Sequence, residues 1–249
     1  MSAVACDRLD GSPKRPRSSR TAMRADERLN GFYDAIAARG FQCLRARGGE
    51  PDLFLREPEV GAQRGLVLIF RPDPETVSRI VSAVCGFRDV EPALYAYPAA
   101  DLHVTVLELI AAKPGFLCSE ALVRPYLDAA GEILREMPAF ETVFRGLIPS
   151  ESALLARGFP NSGLETLRHA LRDGLAARGL APVERYETVS CHVTAARFAS
   201  AFTQRDKAAA LLDTLAELPF GRTVVRELEL VCQNCLGAQR EVLGRYALQ

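Results

Sequence analysis

Apolar positions recur along this chain with two periods, and the period predicts the element. Leu29, Phe32, Tyr33 and Ile36 fall at helical spacing and predict a short helix over residues 25–39, closed by Gly40. Gly48-Gly49-Glu50-Pro51 reads as a loop. The apolar run from Gly65 to Phe70 predicts a buried strand stopped by Pro72 and Pro74. Val77, Ile80, Val81 and Val84 then mark a helix over 74–86. Strands are expected at Ala93–Tyr97 and Leu102–Ile110, and a helix over 119–136 with Ser119 as its cap. Phe140–Ile148 and Ala153–Phe159 read as two strands joined by a turn at Pro149-Ser-Glu-Ser152. Leu164, Leu167, Leu171 and Leu175 form the stripe of a helix over 162–178, ended by Gly179. A strand at Thr188–Phe198, a helix over 203–217 capped by Thr203, and strands at Arg222–Val231 and Glu241–Leu248 complete the chain. Two stretches of similar content follow one another. The expected fold class is α+β and two-lobed, with helices outside two largely antiparallel sheets that face a central cleft, and a lobe boundary near Pro138.

Composition sharpens this picture at the ends and in its charge. The first 25 residues carry Gly11-Ser-Pro-Lys-Arg-Pro-Arg-Ser-Ser-Arg20, with two prolines, four basic residues and no apolar side chain. Such a run cannot bury enough surface to offset its ordering entropy. Residues 1–25 are therefore expected to be a disordered basic tail, either a solvated leader or an arm that touches phosphate backbones, and Met23 is an alternative start. Residues 26–249 are expected to form one bilobal domain. The 31 basic and 31 acidic residues of the 249 cancel, which argues against binding nucleic acid by bulk charge. No apolar run approaches the ~18 residues that span a bilayer, and neither a membrane contact nor a secretory leader is expected. Seven cysteines without a disulfide spacing suit reduced thiols in the cytoplasm. A monomer is expected.

The chemistry is concentrated in two short repeats. Of three histidines, two sit in like settings: Asp101-Leu-His103-Val-Thr105-Val106 and Ser190-Cys-His192-Val-Thr194-Ala195. Residues two apart in a strand share a face, so His103 projects with Thr105 and His192 with Thr194. Pseudo-twofold packing of the two halves would bring four polar groups to one cleft. One neutral imidazole can take a proton while an imidazolium gives one, each role being worth ~10²–10⁴-fold. The hydroxyls can donate to phosphoryl oxygens as charge grows there. An acid and a base on opposite sides of phosphorus suit in-line displacement. Which histidine is acid and which base is open at this level.

The duplicated His-x-Thr, one per half and each in an apolar strand, resembles the 2H phosphoesterase superfamily. Its RNA 2′,3′-cyclic phosphodiesterase branch, historically called 2′-5′ RNA ligases, is the nearest. The resemblance runs from about Gly65 to the C-terminus and takes in Arg197 and Phe198 after the second motif. It implies a pseudo-symmetric 2H phosphoesterase-like fold and a cyclic phosphodiesterase. Its catalytic pair would be His103 and His192, with Thr105 and Thr194 as phosphate ligands. It also implies that neither metal nor cofactor is needed. The substrates would be RNA ends or small cyclic nucleotides. His192-Val-Thr194-Ala195 departs by its small last residue, and residues before about 60 match nothing in the family.

Other residues carry weaker signals. Arg197 lies three beyond Thr194, so a regular strand would turn it away; only a bulge or strand end re-aims it toward a phosphate. Tyr97 or Tyr95 could stack a base at the cleft rim or serve as edge-strand aromatics, and the same holds for Tyr186 and Phe159. His169 reads as a surface residue of its helix. Cys232-Gln-Asn-Cys235 has no second pair for zinc and no helix start to lower a thiolate, so its cysteines read as incidental. Two rival functions stand beside the enzyme. One is a non-catalytic module of the same fold that binds RNA ends or nucleotides, and the other is a metal-dependent hydrolase.

Overall fold

A computed structural model describes residues 17–249, with side-chain surroundings from residue 27 onward. In chain order the helices are α1 (Arg17–Arg47), α2 (Leu53–Arg56), α3 (Pro58–Gly61), α4 (Pro74–Cys85), α5 (Glu120–Leu134), α6 (Gly163–Ala176) and α7 (Arg205–Leu215). The strands are β1 (Arg64–Phe70), β2 (Tyr95–Ala96), β3 (Val104–Lys113), β4 (Phe140–Pro149), β5 (Ala153–Pro160), β6 (Val193–Arg197), β7 (Pro219–Val225), β8 (Glu227–Asn234) and β9 (Glu241–Ala247). Residues 1–16 of the expected tail lie outside the described residues, whereas 17–25 fall in α1.

The N-terminal helix does not stop at Gly40 as its spacing predicts. Gly40 is a contact residue: a Cβ there would collide with the Pro149 carbonyl oxygen, so the helix can press against the end of β4 only with glycine. The true stop is Gly48, at φ +85°, whose N–H closes on Leu44 O at 2.8 Å.

The strands form one curled sheet in the order β7-β4-β5-β6-β3-β1-β8-β9, with β2 also on β6. Its two halves, β7-β4-β5-β6 and β3-β1-β8-β9, meet between β3 and β6 at a single registered pair, Val104 opposite Val193. A cut near Pro138 therefore does not separate them. β8 and β9 return from the C-terminus to pair with β1. β8 is buried at every position after its first, which requires a neighbour on both edges. The expected single strand Arg222–Val231 is also two strands. The chain breaks at Arg226, with β7 on β4 in one half and β8 on β1 in the other. Hydrophobic pattern alone cannot separate these, because both segments are apolar and extended.

Helices cross between halves in the same way. α4 follows β1 but packs on β7, while α6 follows β5 and packs chiefly with α5, reaching β3 as well as β4. The strand expected at Thr188–Phe198 is shorter, because 188–192 is irregular and held by side chains of α6. Arg172 donates to Thr188 O at 3.2 Å and Arg168 to Ser190 O at 2.6 Å. Thr203 does not cap α7; its N–H donates to Glu91 at 3.2 Å and Gln204 takes the cap position. Among the described residues, no helix is long and apolar enough to cross a membrane.

Candidate active site

The seam between β3 and β6 sets out the polar quartet. With Val104 opposite Val193, the same antiparallel register puts His103 opposite Thr194 and Thr105 opposite His192. Cross-strand neighbours of this kind have Cβ atoms roughly 5 Å apart. The valines enter the core, fully buried, while both histidines and both threonines are half-buried on the other face. All four line one cleft of about 550 Å³. Each histidine stands just ahead of the first residue of its strand.

Both strands then bulge at the same place. Against β1, Leu68 pairs Leu107 and Ile69 pairs Thr105, which leaves Val106 extra. Against β5, Leu154 pairs Ala196 and Leu155 pairs Thr194, which leaves Ala195 extra. An extra residue returns the third position after each threonine to the threonine's own face. Glu108 and Arg197 consequently line the cleft beside Thr105 and Thr194.

The two imidazoles are held differently. His103 Nδ1 donates to Asp101 O at 2.7 Å, which leaves Nε2 as the acceptor, 3.2 Å from the Gln233 amide nitrogen. The Arg240 guanidinium reaches Asp101 O and Gly237 O at 3.0 Å each and comes as near to the His103 ring. Burial, reinforced by the Arg240 charge, pushes His103 down to about 3. His192 Nδ1 meets the Ser190 hydroxyl at 2.8 Å. Burial, then the charges of Arg168 and Arg197, push it down to about 4. Both rings are therefore neutral near pH 7.

Around them runs a network of paired charges. Arg197 is fixed by Asp52 at 2.7 Å and by the Tyr97 hydroxyl at 2.6 Å. Asp52 also accepts from the Phe54 N–H as the cap of α2. The Phe54 ring lies 5.1 Å from the Arg197 guanidinium and 5.4 Å from that of Arg185, which pairs with Glu108 at 3.1 Å. From α1, the buried Tyr33 hydroxyl donates to Gly158 O and accepts from the N–H of Cys191, each at 3.0 Å. Asn234 Oδ1, at the cleft edge, is buried with no partner among the described residues.

Of the residues singled out from the sequence, His103, Thr105, His192, Thr194 and Arg197 come together in this cleft. Tyr97 is there too, but is only 6 % exposed and its hydroxyl is engaged by Arg197, so it holds the arginine and offers no open stacking face. Tyr186 lies exposed at the mouth, whereas Phe159 packs edge-on against Tyr33. His169 lines a separate hollow beside α6. Cys232 is buried within β8, while Cys235 borders the cleft. Among the described residues, no three His, Cys, Asp or Glu side chains gather as a metal site needs.

Glu108, Arg168, Arg185, Gln233 and Arg240 are the site residues that sequence reading missed. The signal for Glu108 was present, since it repeats the position of Arg197 after its own threonine. The others come from a helix, two loops and the returning strand β8, whose approach only the fold decides.

No protein-family model matches the chain, and no curated protein matches it. Solved structures do. TT0787 of Thermus thermophilus superposes with a TM-score of 0.57 at 20 % identity, over 74 % of this chain and 97 % of that one. A conserved protein of unknown function from Agrobacterium tumefaciens strain C58, ATU0111, gives 0.55 at 19 % identity, over 78 % and 92 %. Apo LigT of E. coli overlaps less, at 0.48 and 21 % identity over 75 % and 98 %. About a quarter of this chain has no counterpart in the first two of these neighbours. Likeness at this level of identity is likeness of fold: the chain shares its α+β fold with TT0787 and with ATU0111.

Proposed function

We propose that this protein is a metal-independent phosphodiesterase that opens a 2′,3′-cyclic phosphate, or cleaves a 2′-5′ linkage, in RNA or a small nucleotide. The observation that carries the reading is the square of His103, Thr105, His192 and Thr194 on one cleft face. Thr105 and Thr194 donate to the non-bridging phosphoryl oxygens. His103, whose Nδ1 is committed as a donor to Asp101 O, presents an unprotonated Nε2 and serves as the base. It takes a proton from water as the water oxygen bonds to phosphorus. His192 faces a hydroxyl that can donate or accept, so it can carry a proton once an anionic phosphate enters. It gives that proton to the departing ribose oxygen as the P–O bond breaks. The product is a phosphomonoester, and proton exchange with solvent restores both rings.

The cleft volume is in the range of small-ligand sites and suits a nucleotide. Phe32, Phe54 and Tyr186 give stacking surfaces near its mouth, and Asn234 Oδ1 can accept from a ribose hydroxyl or a base amino group. The site is complete within one chain, which fits a monomer. Six free thiols among the described residues suit a reducing, cytoplasmic setting.

The test is turnover of a 2′,3′-cyclic nucleotide and of a 2′-5′ dinucleotide in EDTA. Product analysis should separate 2′- from 3′-phosphate. Activity is expected in EDTA and is expected to vanish in His103→Ala and His192→Ala. Activity that needs added metal would identify a metal-dependent hydrolase, and binding without turnover a nucleotide-binding module.

A further inference from the structure

Behind the quartet lies a buried cation that pairs with no carboxylate among the described residues. Arg168, on α6, is 5 % exposed. Its Nε donates to Val106 O at 2.8 Å. Its NH2 group donates to Thr105 O at 3.0 Å and to Ser190 O at 2.6 Å. These carbonyls are not arbitrary. Val106 is the bulged residue of the first motif and Thr105 the proposed phosphate ligand. Ser190 carries the hydroxyl that meets His192 Nδ1.

Burying a lone charge is costly unless dipoles compensate it. Here three carbonyls do so, each through a charge-assisted bond. Only a planar fork of fixed donors spans three acceptors in this way; an ammonium concentrates its charge at one point. The seam it crosses is otherwise weak, since β3 and β6 share one registered pair.

We propose that Arg168 is a positioning residue for the two-histidine centre. It fastens the bulge of the first motif to the entry of the second, fixes Ser190 and thereby the His192 ring, and sets a permanent positive charge behind the phosphate position. Its effect on rate rests on the phosphodiesterase reading; its effect on His192 does not. The charged groups facing His192 are Arg168 from α6 and Arg197 from β6, with the titratable His103 alongside, just ahead of β3. Arg172, also on α6, is neutralised by Glu184 at 2.8 Å.

The test combines proton NMR titration of His192 with turnover of a 2′,3′-cyclic nucleotide, in Arg168→Gln and Arg168→Lys. With three histidines in the chain, His192→Gln assigns the resonance. In Arg168→Gln, the His192 titration is expected to move up toward the ordinary value of about 6.5. Its kcat should fall about a hundredfold with KM little changed, the usual cost of a small misplacement of reacting groups. Arg168→Lys keeps the charge but not the three-way fan. It should leave the titration near its wild-type position and recover about tenfold of the lost kcat, since the electrostatic part returns without the geometry. An unmoved His192 titration with wild-type kcat in Arg168→Gln would overturn the proposal. If that variant does not fold, Arg168→Lys decides: a kcat depressed at constant KM supports positioning, and a wild-type kcat refutes it. A wild-type protein inactive on every diester, in which Arg168→Gln still moves the His192 titration, would remove the phosphodiesterase reading and leave the positioning role standing.

Discussion

The two His-Val-Thr strands are near copies in sequence and in backbone, down to the bulge after each threonine, yet opposite ends of the chain hold them. The first is clasped by the C-terminal hairpin: Gln233 and Arg240 reach His103, and a Cβ on Gly237 would lie 2.8 Å from its ring. The second is clasped by the N-terminal segment, through Tyr33 on Cys191 and Asp52 on Arg197, with Arg168 behind. The third position beyond each threonine carries opposite charge, Glu108 in one half and Arg197 in the other. Duplication thus supplies the pair of imidazoles, and divergence in what surrounds them gives each ring its own partners, Asp101, Gln233 and Arg240 for His103 and Ser190 for His192.

The severest way to break this comparison is to remove the rings. His103→Ala and His192→Ala are each expected to lower turnover of a cyclic nucleotide by ~10²–10⁴-fold. The double variant should be little worse than either, because the two act as a unit. Full multiplication of the two losses in steady-state kinetics would show that they act separately.

Next in size is the N-terminal clasp. Asp52 and Arg197 form a largely buried pair, with side chains 5 % and 15 % exposed. Asp52→Ala leaves the arginine uncompensated and should cost roughly 3–5 kcal/mol of stability, read from urea unfolding. A loss under about 1 kcal/mol, the worth of an exposed pair, would mean that Arg197 finds water easily.

A smaller effect should distinguish the two histidines directly. Arg240→Met removes the charge beside His103, so His103 should titrate higher while His192 stays put, as followed by NMR. Movement of both rings together would show that Arg240 does not act on His103 alone.

The pH dependence of stability treats the halves alike. Both folded-state values lie below the ordinary 6.5, so between them the unfolded chain binds more protons than the folded one. The stability of the neutral rings is whole above about 6.5. It is lost as pH falls through that value toward about 4 for His192 and about 3 for His103. Unfolding midpoints at pH 7.5 and 5 should show this slope, and His103→Gln with His192→Gln should flatten it. An unchanged slope in the double variant would assign the acid sensitivity to carboxylates. The mildest change is Glu108→Gln, which keeps an acceptor for Arg185 and should alter turnover only a few-fold, since that pair is partly exposed.

The sequence by itself determined the local facts. Apolar stripes located α4, α5, α6 and the β4–β5 turn nearly to the residue, because a buried face must repeat with the period of its element. The repeated His-Val-Thr named the quartet, because alternate strand positions share a face wherever the strand goes. Only the tertiary structure decided which strand lies beside which. It carried β8 back to β1, divided Arg222–Val231 at Arg226, and extended α1 through Gly40 against Pro149. It alone turned Arg197 into the cleft and brought Arg168, Gln233 and Arg240 to rings 24 to 137 residues away in sequence. Such contacts depend on strand register and on the meeting of distant surfaces, and a one-dimensional pattern of apolar and polar residues records the face a side chain needs but not the partner that covers it.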